Sequence, residues 1–95
     1  MSASGMKKPA HNFDAEASSW DTVPRIERAR LVADEVRKSI PLRKSWRALE
    51  FGCGTGLVGF NLAAELESVT MLDSSAGMIA EVTRKIGSLG AINVS

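Results

Sequence analysis

A chain of 95 residues permits one domain at most, and its balance of 44% apolar and 24% charged residues is that of an ordinary globular protein rather than a disordered or fibrous one. A net charge of +1 gives no overall field towards nucleic acid or an anionic membrane, and no apolar run approaches the roughly 20 residues of a membrane span. Cys53 is the single cysteine, which excludes an internal disulfide and a multi-cysteine metal site; no metal site is expected, and a reduced, cytoplasmic setting is the default.

Residues 1–12 are small, polar and basic and are expected to be disordered, with His11 solvated rather than catalytic. They contain no apolar core of a signal peptide. "FDAEASSWD", residues 13–21, predicts a short helix presenting Phe13, Ala17 and Trp20 on one side. A longer amphipathic helix follows. Pro24 suits its first turn, Ile26, Ala29, Val32, Ala33, Val36 and Ile40 recur at helical spacing, and Pro41 ends it. The run 37–47 holds five cations and no acid, a pattern that suits a solvated face and a helix C-terminus, with an anionic partner as the alternative.

"RALEF", 47–51, reads as a strand, and four glycines, Gly52, Gly54, Gly56 and Gly59, crowd in behind it. A helix is predicted from about Gly56 or Leu57 through "LVGFNLAAEL". "SVTML", 68–72, is apolar and β-branched, hence a buried strand with Asp73 at its tip. The next segment sets Met78, Ile79, Val82, Ile86 and Leu89 on one helical face, with Ser74 or Ser75 as N-cap and Gly90 as stop. "AINVS" opens a third strand. Strands alternating with helices predict an α/β fold with a parallel sheet and right-handed crossovers.

A glycine turn between a strand and a helix can bring backbone N–H groups against a ligand, and an acid at the tip of the next strand can accept hydrogen bonds from ribose hydroxyls. Asp73 stands 21 residues after Gly52 and 17 after Gly56. The constellation predicts a nucleoside-cofactor site, but two registers overlap. "GTGLVG", 54–59, satisfies the dinucleotide pattern G-x-G-x-x-G. "EFGCGTG", 50–56, instead resembles the E/D-x-G-x-G-x-G motif of class I S-adenosylmethionine-dependent methyltransferases, "VTMLDSSAGMI" resembles their second motif, and "FDAEASSWD" is similar to the leading helix of their small-molecule branch. Charge separates the two. A carboxylate at Glu50 attracts a ligand bearing an ammonium and a sulfonium and repels a pyrophosphate. Otherwise Glu50 is a strand carboxylate bonded to neighbouring backbone.

The resemblance implies a Rossmann-like methyltransferase fold that uses S-adenosylmethionine (SAM), the chain holding leading helices, two strand–helix units and the start of a third strand. It implies that Gly52, Gly54 and Gly56 floor the methionine and ribose portions, with Cys53 and Thr55 in the turn. Asp73 would take the ribose hydroxyls. Ser74 and Ser75 would offer backbone N–H groups to the adenine edge. Met78 would pack at the adenine or in the core, and Trp20, with Phe13, would form part of a lid or of ordinary packing. No residue has the look of a catalytic base. The acceptor is expected to be a small molecule rather than nucleic acid. In the family's sheet, strand one lies between strands two and four; strand four is absent from this sequence. "RALEF" is therefore expected to be an exposed apolar edge through which copies could associate, and the 95-residue chain to be the N-terminal part of a larger enzyme, on its own binding cofactor weakly and turning over nothing. A dinucleotide-dependent oxidoreductase module and a non-catalytic binding subunit remain the alternatives.

Overall fold

A computed structural model describes residues 12–95; the expectations for residues 1–11, His11 among them, lie outside the described residues. Asn12, expected to be disordered, is instead an N-cap: its side-chain oxygen accepts the Ala15 N–H at 3.1 Å and opens helix α1, Phe13–Glu16, which tightens into a 3₁₀ turn at Ala17–Ser19. Helix α2 spans Val23–Ser39 with Pro24 in its first turn. It ends where Pro41 pushes Ile40 into extended geometry, φ −132° and ψ 128°. Strand β1, Arg47–Phe51, leads through the glycine turn into α3, Leu57–Leu62, and a 3₁₀ turn at Ala63–Glu65. Strand β2, Ser68–Leu72, then leads into α4, Ala76–Leu89.

The two strands pair in parallel, Arg47 opposite Ser68 through Phe51 opposite Leu72. The last residues begin a third position in the same sheet. Val94 bridges Val69 in parallel, and the Val69 N–H donates to Asn93 O at 2.9 Å. The sheet order is thus 94-segment, β2, β1, with the outer edge of β1 unpaired among the described residues. Leu49 and Phe51 on that strand are 54% and 76% exposed, on the uncovered face of the sheet.

The core lies between α3, β2 and α4 around Leu62, Leu66, Val69, Met71, Val82 and Val94, with Ala33 of α2 packed in. Three expectations need correction. The α3 segment holds α-helical geometry only to Leu62, because the chain tightens at Ala63 to turn into β2. On α2 only Ala29 and Ala33 are buried, while Ile26, Val32 and Ile40 stay largely exposed, since that helix meets the rest of the fold mainly through its small residues. Leu89, placed by periodicity on the buried face of α4, is exposed in the final turn before the left-handed Gly90.

Candidate functional site

The sharp turn after β1 is made by glycines in left-handed geometry, Gly52 at φ 63°, Gly54 at 59° and Gly56 at 83°. They do different work. A Cβ on Gly52 would meet nothing within 4 Å, and one on Gly54 would meet only Trp20 Nε1 at 3.9 Å, so both present bare backbone to a cleft. A Cβ on Gly56 would lie 2.9 Å from the Phe60 ring, and one on Gly59 would lie 2.4 Å from Met71 Cε and 2.7 Å from Glu50 Oε1. Gly56 and Gly59 let α3 lie flat on the strands. Gly56, expected in the floor, lines neither the main cleft nor the smaller recess adjoining it.

The main cleft has a volume of about 620 Å³ over the C-terminal ends of both strands. Gly52, Gly54, Asp73 and Ser74 form its polar wall, and Phe13, Trp20, Phe51, Leu72 and Met78 its apolar one. Phe13 and Trp20 meet edge to face with centroids 5.9 Å apart. Met78 is at once core and wall, 2% exposed and bordering the cleft. Asp73 is locked in place: Oδ2 accepts the Gly54 N–H and Oδ1 the Ser75 N–H, both at 2.8 Å. Each oxygen keeps a second lone pair for an incoming hydroxyl. The Ser75 N–H is consumed by that bond, and Ser75 Oγ caps α4 by accepting the Met78 N–H at 3.2 Å. Ser75 is therefore not an adenine-edge donor; Ser74 is the one that borders the cleft.

A smaller recess of about 250 Å³ adjoins it, sharing Trp20 and Gly52. Glu50, Cys53 and Thr55 line this recess rather than the main cleft, facing Arg25 and Arg28 from α2. Arg25 lies over the Trp20 ring, 3.6 Å from its centroid, and its Nη1 donates to Trp20 O at 3.3 Å. Glu50 Oε1 is the one buried side-chain polar atom without a hydrogen-bond partner among the described residues. Burial raises the Glu50 carboxyl above its ordinary value, with the neighbouring Gly59 N–H only partly opposing it. Burial, reinforced by the charges of Glu50 and Asp73, pushes the Cys53 thiol up to about 11. A thiol held protonated is no nucleophile, which agrees with Cys53 as a small turn residue.

The leading segment is tied over the site at two points. Asp14 Oδ1 accepts from Ser75 Oγ at 2.5 Å and from the Gly77 N–H at 2.6 Å, and these bonds lower the Asp14 carboxyl below its usual range. Asp21 accepts from Thr55 Oγ1 at 2.5 Å and pairs with Lys85 Nζ at 2.5 Å. Sequence reasoning missed Asp14, Asp21, Gly77 and Lys85, whose partners lie far away along the chain, and Arg25, which folds back onto Trp20 five residues before it. The cluster Asp14–Ser75–Gly77 had one faint signal, a glycine in the first turn of a helix.

Residues 48–95, the span from β1 to the third sheet position, match the sequence profile of the family described as Methyltransferase domain. The chain belongs to that family. Among solved structures, the chain is similar to DhpI in its SAH complex, with 35% identity and a TM-score of 0.65, over 87% of this chain and 39% of that one. The DhpI-SAM-HEP complex gives 35% identity and a TM-score of 0.63, over 87% and 37%. A dimethyladenosine transferase from Plasmodium falciparum gives 28% identity and a TM-score of 0.61, over 67% and 24%. The chain thus spans between about a quarter and two-fifths of the length of these relatives. No curated protein matches it significantly. The Rossmann-like methyltransferase fold, incomplete in so short a chain, is that of its structural neighbours.

Proposed function

We propose that this chain is the cofactor-binding part of a SAM-dependent methyltransferase acting on a small-molecule acceptor. The observation that carries the reading is the half-buried Glu50 carboxylate, whose buried Oε1 is without a hydrogen-bond partner and which is set in the recess beside the glycine turn. A carboxylate left in that state is a cost unless a cation comes to it. In the DhpI complexes the ligands are SAM and SAH. SAM, when bound, supplies a methyl group made electrophilic by its sulfonium.

The chain's own residues bind, orient and shield. Asp73, held by two backbone N–H groups, accepts the ribose hydroxyls, and Gly52 and Gly54 let the sugar approach the backbone. Phe13, Phe51, Leu72 and Met78 would line the adenosine portion with apolar surface. Glu50 takes the ammonium in the smaller recess, where Arg25 and Arg28 offer guanidinium groups to the carboxylate. Trp20 lines both recesses, where its ring would offer a face to the sulfonium.

A small acceptor is favoured over nucleic acid because three of the five cations of the basic run are engaged within the fold. Arg37 bonds Asp34, Glu65 and Asn61, Lys38 pairs with Glu35, and Lys44 donates to Ala64 O at 3.0 Å. No helix among the described residues is long and apolar enough to cross a membrane, and a cytoplasmic setting accompanies the reading. The unpaired β1 edge is a surface for self-association of this chain. The test is a titration of S-adenosylhomocysteine and of NAD against the chain, with Glu50→Gln and Asp73→Ala beside it. The reading expects the thioether to bind and both substitutions to weaken it; uptake of NAD alone would refute it.

A further inference from the structure

Lys85 is a cation where the packing calls for none. It sits on the inward side of α4 with the apolar Val82 and Ile86, and only 9% of it is exposed. Lysine is among the residues least often buried, and a desolvated ammonium is unfavourable unless fully partnered. Here it is fully engaged. Nζ donates to Thr55 O at 2.9 Å, pairs with Asp21 Oδ2 at 2.5 Å and lies 5.6 Å from the centroid of the Phe60 ring. The other oxygen of Asp21 accepts from Thr55 Oγ1, and Thr55 is 1% exposed. One ammonium therefore joins α4, the middle of the glycine turn and the residue that follows Trp20. Trp20 in turn lies over that turn, its Nε1 3.9 Å from the point a Gly54 Cβ would occupy. The Asp14 anchor holds the other end of the leading segment independently, on the first turn of α4.

We propose that Lys85 is a positioning residue: through Asp21 and Thr55 it fixes Trp20 against the glycine turn and so sets the passage between the two recesses, where the reacting end of the ligand lies. Its effect on affinity rests on the SAM reading above. Lys85 itself lines neither recess.

The whole 95-residue chain carrying Trp46→Phe, so that Trp20 alone fluoresces, serves for the test. Lys85→Met keeps the length and apolar body of the side chain and removes the charge. It is expected to raise acrylamide quenching of Trp20 about twofold and to weaken S-adenosylhomocysteine about tenfold, because small displacements at a reacting centre are costly. Lys85→Arg is expected to recover most of both effects. In a Trp20→Ala background Lys85→Met should change affinity by less than about twofold, since its route of action is gone. Should Lys85→Met unfold the chain, Thr55→Val, which keeps the shape and cuts the Thr55–Asp21 bond, is read in the same way. Unchanged quenching in the folded variants, or an affinity loss that persists without Trp20, overturns the proposal. If the parent chain binds no S-adenosylhomocysteine, the SAM reading falls, while the quenching comparison still decides whether Lys85 positions Trp20.

Discussion

Glu50 occupies a position where an uncharged side chain would be more stable: half-buried on a strand, with Oε1 unpartnered and the carboxyl pushed above its ordinary value. A carboxyl raised in the folded state contributes its full stability below the unfolded value of 4.5 and loses it as pH rises through the folded value. At neutral pH the charge is a net cost. Glu50→Gln is therefore expected to stabilise the ligand-free chain by about 1 kcal/mol, discounted because the group is only half-buried, which is a rise in melting temperature of about 4–8 °C. The same change should weaken S-adenosylhomocysteine about tenfold or more. Calorimetric melting at pH 7 beside a binding titration checks both signs. For Cys53, a thiol raised to about 11 predicts alkylation by iodoacetamide at pH 8 at least about a hundredfold slower than a free cysteine, with full reactivity returning in urea. The acids at the strand ends, Glu50 and Asp73, were legible because charge and spacing along the chain define them. The division of labour among the glycines was not: what forbids a side chain at Gly56 and Gly59 is Phe60 and Met71, and contacts across the fold leave no trace in a local motif.

The elements that carry the site were legible from period and punctuation, Pro24 and Pro41 bounding α2 and Ser75 and Gly90 bounding α4. The docking of the leading segment was not, since it depends on Asp14 reaching Ser75 and Gly77 more than 60 residues away. That contact needs a glycine, because a Cβ at residue 77 would stand 2.7 Å from Asp14 Cα, backbone that cannot step aside. Gly77→Ala is expected to lift α1 off α4 and weaken ligand binding while leaving most of the helical circular dichroism intact. Acid should act at the same place. The Asp14 carboxyl lies lower in the folded chain than its ordinary 3.8, so its contribution is present above that value and disappears as pH falls through the folded one. Trp20 fluorescence, read with Trp46→Phe, is expected to show a transition below pH 3.8 that Asp14→Asn removes.

Across the whole molecule, the α/β order and the exposed β1 edge followed from the sequence, whereas the partial burial of α2 did not, since periodicity shows which face is apolar and not whether anything covers it. Leu49 and Phe51 leave β1 with unpaired backbone beside apolar side chains. Sedimentation at rising concentration is expected to show association, reduced by Leu49→Lys on the exposed strand. The central claim, that the two recesses together hold a cationic amino-acid nucleoside rather than a dinucleotide, is tested most directly by isothermal titration calorimetry at pH 7.5. The account predicts heat with S-adenosylhomocysteine, competition by SAM, loss of the signal in Gly54→Val and none with NAD. Heat with NAD and none with either sulfur compound would contradict it.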